Sequence, residues 1–332
     1  MAIKNLPRGR ESLRELLLDL NSRAHSIDAV LDSVERINAL KKKKNAVILA
    51  HYYMRDAIQF GIADYIGDSL DLSKAAAEVN DKDVIVFCGV HFMAETAKIV
   101  NPAKKVLLPD RGAGCSLAQS ITGRDVRELR AQYPNAAFAT YINTAAEVKA
   151  ECDVCVTSAN VTKILKRLPE RQIVFLPDKY MTANVRATLS EKEIIGWNGA
   201  CIVHEQYTAV NVPLHRAQHP GLRVLAHYEC DPAIVKQADL VGGTADMRKY
   251  MRDTNAPAYL LLTECGLAST IRAEFPDKEI IGTCQLCPYM AKNTLEVVEH
   301  SLLEGQHEID VPEQTRIRAK AALDRMFELG GN

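Results

Sequence analysis

Glu193-Ile-Ile-Gly-Trp-Asn-Gly-Ala-Cys201 and Glu279-Ile-Ile-Gly-Thr-Cys-Gln-Leu-Cys287 follow one pattern: a short apolar run, a glycine-containing turn, then a cysteine. A third copy, Val106-Leu-Leu-Pro-Asp-Arg-Gly-Ala-Gly-Cys115, stands the same 86 residues upstream of Cys201 as Cys287 stands downstream. Even spacing alone is weak among nine cysteines. The shared flanks make it an internal repeat, and a repeat decides the fold before any single element does.

Working back from each cysteine, the same order of marks recurs. Val47-Ile-Leu-Ala-His51, Phe138-Ala-Thr-Tyr141 and Val224-Leu-Ala-His227 are apolar runs that end in an aromatic or imidazole side chain. Twelve or thirteen residues later each unit has an aspartate, Asp64, Asp153 or Asp239, and five residues after that a hydroxyl, Ser69, Ser158 or Thr244. A second apolar run follows at Val84–Phe87, Ile173–Leu176 and Tyr259–Leu262. Short continuous apolar runs read as strands buried on both faces of a parallel sheet. The stretches between them, such as 71–79 and 92–100, space their apolar residues at helical intervals. The fold class is therefore α/β, with three similar three-layer αβα domains: repeat 1 over 45–125, repeat 2 over 126–211 and repeat 3 over 212–298. Helical segments are expected before them, 1–44, and after them, 299–332. Lys41-Lys-Lys-Lys44 reads as a solvated helix C-terminus, where the helix dipole favours cations.

Composition narrows the function. Charged residues make up 25% and apolar residues 47%, with formal net charge −1, so no basic field recruits nucleic acid or a membrane. One tryptophan and 6% aromatics leave little for base stacking. No apolar run reaches the roughly 18 residues of a membrane helix, and no secretory signal is seen. A reducing, cytoplasmic setting is expected, in which clustered cysteines suggest metal or catalysis rather than disulfides.

Ligands in open α/β sheets lie beyond the carboxyl ends of the strands, where the marked residues of all three units fall. Three thiolates at one point would hold an iron–sulfur cluster with one iron lacking a protein ligand, and such an iron can act as a Lewis acid. The competing reading is three small buried side chains. His51, Tyr141 and His227 occupy matched positions, with Tyr53, Asn143 and Glu229 two residues on; His204 follows Cys201 by three. Glu229 in a desolvated cavity is a candidate general base. Ser69, Ser158 and Thr244 suit carboxylate or phosphate groups, or serve as plain helix caps. Cys155, inside the strand-like run Val154-Cys-Val156, reads as core, and Cys88, Cys230 and Cys265, with no counterpart in every unit, read as core or supporting residues.

These residues resemble the quinolinate synthase A family from about 45 to 298. The motifs that carry the resemblance are Ala50-His-Tyr-Tyr53, Ile66-Gly-Asp-Ser69, Gly89-Val-His-Phe-Met-Ala-Glu-Thr-Ala-Lys98, Tyr141-Ile-Asn143 and Val156-Thr-Ser-Ala159. They continue with Pro177-Asp-Lys179, Gly199-Ala-Cys-Ile-Val-His204, His227-Tyr-Glu229 and Cys287-Pro-Tyr-Met290. The resemblance implies three domains around a pseudo-threefold axis and a [4Fe–4S] cluster on Cys115, Cys201 and Cys287. It implies a transferase that condenses iminosuccinate with dihydroxyacetone phosphate to quinolinate, phosphate and water, in NAD biosynthesis, and transient contact with the enzyme that supplies the imine. By the same resemblance Tyr53, Tyr141, His204, His227 and Glu229 are catalytic. Substrate contacts fall at His51, Ser69, Tyr141, Ile142, Asn143, Ser158, His227, Tyr228, Glu229 and Thr244. Two departures stand out. Gly243 replaces the family's usual serine, so backbone N–H groups are expected to substitute for its hydroxyl. Ile281 replaces the first cysteine of a C-x-x-C-x-x-C run, so a regulatory disulfide there is possible only as Cys284–Cys287. A cluster-dependent hydro-lyase and a non-catalytic iron–sulfur sensor are the alternatives.

Overall fold

The repeat is visible as three sheets of the same strand order in a computed structural model that describes residues 3–4, 9–20, 26–282 and 284–331. The strands are β1 (Ile3–Lys4), β2 (Ala46–His51), β3 (Tyr65–Gly67), β4 (Val84–Cys88), β5 (Lys105–Leu107), β6 (Ala137–Tyr141) and β7 (Val154–Val156). They continue with β8 (Gln172–Leu176), β9 (Glu193–Gly196), β10 (Arg223–His227), β11 (Leu240–Gly242), β12 (Ala258–Leu262) and β13 (Glu279–Ile281). The orders are β3-β2-β4-β5, β7-β6-β8-β9 and β11-β10-β12-β13, every neighbouring pair parallel. The short β1 adds to β3 antiparallel at one edge. In each sheet the chain steps to one side of its first strand and then crosses to the other side. The switch point therefore lies between first and third strands, beyond whose carboxyl ends an α/β sheet binds its ligand.

By its contacts the chain divides into two compact units. One holds residues 1–114, 265–274 and 286–311, and with them the β2–β5 sheet. There the helices Arg10–Asp19 and Ile27–Lys43 bury Leu13, Leu17, Leu31, Val34 and Ile37, the apolar stripe expected of the N-terminal segment. The other unit holds residues 115–264, 275–285 and 312–332, with the sheets begun by β6 and β10. Its C-terminal helix Glu313–Gly330, entered through Pro312, packs on the helix Ala146–Ala150 and on β7.

The three aspartates at matched positions explain the repeat mechanically. The Asp64 carboxylate accepts the Ile48 N–H at 2.8 Å while the Asp64 N–H donates to the Ile48 carbonyl at 2.9 Å. Asp153 makes the same reciprocal pair with Phe138, and Asp239 with Val224. Each aspartate clasps the start of the first strand to the start of the second. A cation completes each clasp: Lys41 on Asp64 at 2.8 Å, Arg130 on Asp153 at 2.7 Å, Arg216 on Asp239 at 2.7 Å. Lys41 corrects the expectation of a solvated lysine run, because its ammonium is buried against the Ile62 carbonyl and Asp64; only Lys42, Lys43 and Lys44 are exposed. Asp239→Ala removes the acceptor of the buried Val224 N–H and the partner of Arg216 and Arg223. Its expected loss is about 2 kcal/mol, the scale of hydrogen bonds to charged groups, measured by urea unfolding.

Candidate active site

Tyr141, Cys201, His204, His227 and Glu229, five of the residues singled out from sequence, converge at the switch point of the β10 sheet, within one unit. His227 ends β10, and the turn after it carries Tyr228 and Glu229. Across the switch point β12 is followed by Thr263. Tyr141 ends β6 and reaches Glu229 with its hydroxyl at 2.7 Å. The loop after β9 brings Cys201, and the single helical turn His204–Gln206 brings His204. His204 Nδ1 lies 3.0 Å from the other Glu229 oxygen and 3.2 Å from Cys201 Sγ; its Nε2 lies 3.1 Å from Thr263 Oγ1. The His204 and His227 rings stack at 4.5 Å. All four of Tyr141, His204, His227 and Glu229 are buried.

The electrostatics separate the roles. Burial drives His227 down to about 4, so its ring is neutral at physiological pH and its 3.6 Å approach to Glu229 is not an ion pair. Its Nδ1 accepts the Glu229 N–H at 3.3 Å, which leaves the proton on Nε2. Burial alone would raise the Glu229 carboxyl, but the facing His204 and the hydrogen bonds from His204 and Tyr141 outweigh it and hold the group below its ordinary range. Asp178, fully buried at the start of the helix Lys179–Thr188, moves the other way: burial first, then the Glu229 charge, raise it well above normal. The two carboxyl groups are thus pushed in opposite directions.

Two clasps found only in the structure hold these groups. Asn184 donates to the Tyr228 and Cys230 carbonyls, both at 2.8 Å, and so grips the backbone on either side of Glu229. In the other unit Gln59 donates to the Tyr52 and Met54 carbonyls at 3.0 and 2.7 Å, on either side of Tyr53. Tyr53 and Glu229 are the matched positions two residues past His51 and His227, and His51 Nδ1 accepts the Tyr53 N–H just as His227 accepts that of Glu229. Neither amide repeats at a fixed spacing, so no signal marks them in the sequence. Asn184→Ala should lower kcat about tenfold, the order set by losing one to two kcal/mol of positioning hydrogen bonds. KM and the far-ultraviolet dichroism should stay near the parent's.

The hydroxyls are not caps. The capping positions belong to Asp68, Asn160 and Gly243, while Ser69 and Thr244 are first helical residues and Ser158 stands in the turn before Asn160. Thr244 Oγ1 and Asn143 Oδ1 are among the described buried atoms that have no hydrogen-bond partner. Ile142 serves the sheet instead, its N–H donating to the Val156 carbonyl. A Cβ at Gly243 would meet Ser158 Oγ, so glycine makes room for that hydroxyl. The Gly243 N–H is bound by Asp246 at 2.8 Å and is not available in place of the missing serine.

Seven cysteines are reduced. Cys88, Cys152, Cys155 and Cys230 are buried; Cys115, Cys201 and Cys287 are the three that keep some exposure. Ser116 Oγ donates to the Ala200 carbonyl at 2.9 Å and accepts the Ile202 N–H at 3.2 Å, which fixes Cys201 beside the chain that carries Cys115. Cys115 and Cys201, reduced and partly exposed, are held in register within one unit and are donors of the type an iron–sulfur cluster takes. Cys265 and Cys284 are disulfide-bonded while Cys287 is reduced, so the Cys284–Cys287 bridge does not form. No helix among the described residues is long and apolar enough to cross a membrane.

A three-sheet α/β protein with a buried carboxylate, tyrosine and paired imidazoles at a strand-end switch point is built as an enzyme. The profile of the family described as Quinolinate synthetase A protein matches residues 35–328. The quinolinate synthase of Xylella fastidiosa (strain 9a5c) is 46% identical over 298 residues, covering 90% of this chain and 87% of its own length. Quinolinate synthase 1 of Mesorhizobium japonicum is 44% identical over 297 residues, covering 90% and 91%. The quinolinate synthase of Agrobacterium fabrum is 46% identical over 298 residues, covering 90% and 86%. The chain belongs to the quinolinate synthetase A family.

Proposed function

We propose that this enzyme makes quinolinate for NAD biosynthesis, condensing iminosuccinate with dihydroxyacetone phosphate and releasing phosphate and water. The reading is carried by the run of contacts Tyr141–Glu229–His204–Cys201, which joins a proton-moving carboxylate to a cysteine. Cys115, Cys201 and Cys287 are the proposed ligands of a [4Fe–4S] cluster, which when bound supplies a Lewis acid through the iron they leave uncapped. Glu229, ionised and buried, takes a proton from the substrate, and Tyr141 sets its orientation through the 2.7 Å bond. Burial and the Glu229 charge raise the Asp178 carboxyl, which favours its protonated form and makes it the matching proton reserve. Neutral His227 holds the Glu229 backbone and presents Nε2–H as a donor. Thr244 Oγ1, buried without a protein partner, donates to a substrate carboxylate or phosphate.

The test is made without oxygen. The full-length chain is reconstituted with iron and sulfide, its iron and sulfide counted, and quinolinate measured from the two substrates. Uptake of about four irons and four sulfides per chain together with quinolinate formation is expected. Failure to take up iron and sulfide refutes the cluster, and a loaded protein that makes no quinolinate refutes the reaction.

A further inference from the structure

Cys201 Sγ, His204 Nδ1 and a Glu229 carboxylate oxygen all lie within 4.8 Å of one another, in a buried place, and offer three different donor atoms. We propose that this trio is a second metal site, which takes a single borderline divalent cation such as Zn²⁺ in a chain that has no iron–sulfur cluster. The separations suit it. A tetrahedral zinc with ordinary bond lengths sets sulfur and nitrogen donors about 3.5 Å apart and nitrogen and oxygen donors about 3.3 Å apart. Here the pairs stand at 3.2 and 3.0 Å, so small side-chain shifts admit the ion.

The outer shell is already in place. A ligating histidine needs a partner for its other nitrogen, and His204 Nε2 has Thr263 Oγ1 at 3.1 Å. A ligating carboxylate needs its second oxygen held, and Tyr141 holds that of Glu229 at 2.7 Å. Asn184 fixes the backbone around Glu229, and Ser116 fixes the backbone around Cys201. A thiolate, a carboxylate and a neutral imidazole around a divalent ion sum to zero charge, the arrangement a buried centre favours. Three protein ligands leave a fourth position for water. Because Cys201 is also a ligand in the reading above, one chain holds the ion or the cluster, not both.

The site separates from the cluster by its ligands, since it uses His204 and Glu229 and does not use Cys287. The experiment takes the full-length chain, reduced, iron-free and without oxygen, and titrates it with Co²⁺, which reports a thiolate ligand by a near-ultraviolet charge-transfer band. One Co²⁺ per chain with that band, displaced by Zn²⁺, is expected. Cys201→Ala should lose the band. His204→Ala and Glu229→Gln should each weaken binding tenfold or more, and Thr263→Val should weaken it less. Cys287→Ser should bind as the parent does, although it should no longer take up a cluster. Circular dichroism confirms that each variant folds, and because Glu229→Gln is nearly isosteric it decides if His204→Ala does not. Absence of 1:1 binding, parent-like affinity in both His204→Ala and Glu229→Gln, or loss of the band in Cys287→Ser would overturn the proposal.

Discussion

Cys201→Ser should leave a folded chain that takes up no cluster and makes no quinolinate. The substitution is close to isosteric, and the backbone around it stays fixed by Ser116, so fold and position survive while the thiolate is lost. Iron and sulfide content, measured after reconstitution without oxygen, is the direct readout. Cys88→Ser and Cys230→Ser are the controls. Both thiols are buried, and Cys230 Sγ is engaged with the Leu262 carbonyl, so both pack in the core. They should retain iron. Loss of iron in a control with retention in Cys201→Ser would show that the ligand set has been assigned to the wrong thiols.

Glu229→Gln should lower kcat by about 10² to 10⁴, the range for removing a general acid–base group. Glutamine keeps an oxygen that accepts from the Tyr141 hydroxyl and keeps the Asn184 grip on the backbone, so the shape of the site persists. What disappears is the charge that takes a proton. The near-equality of shape makes the kinetic loss interpretable, and iron content should match the parent. A variant with full iron and near-parental kcat would remove Glu229 from the chemistry and leave it a structural role. Tyr141→Phe tests the same bond from the other side and should cost less, because the carboxylate keeps its charge.

The central strands were legible because they are short, apolar and buried, which produces continuous rather than alternating runs. The matched strand ends His51, Tyr141 and His227 followed from the repeat, as did the cysteines. The same repeat displayed Asp64, Asp153 and Asp239 by spacing, yet their use as strand clasps depends on contacts that spacing cannot convey. Lys41 was misread because a lysine run at a helix end looks solvated; its burial follows from Asp64 lying against the same helix end. Asp178, Asn184 and Thr263 were missed as working parts because they act on residues far along the chain, as Asn184 does on carbonyls 44 and 46 residues away. Gly243 was visible as a departure, but its meaning rested on Ser158, 85 residues earlier in sequence.

The aspartate clasps sit at the opening ends of the first two strands of every sheet, and the reactive side chains sit at the closing ends. Structure and chemistry are thereby assigned to opposite rims of the same sheet. A duplicated unit can then keep one rim and revise the other. The chain carries the result: two copies end their leading strand in histidine and one in tyrosine, while the clasp is retained in all three with either lysine or arginine as its cation. Such a division lets equivalent rims diverge in their chemistry without any of them unfolding its sheet.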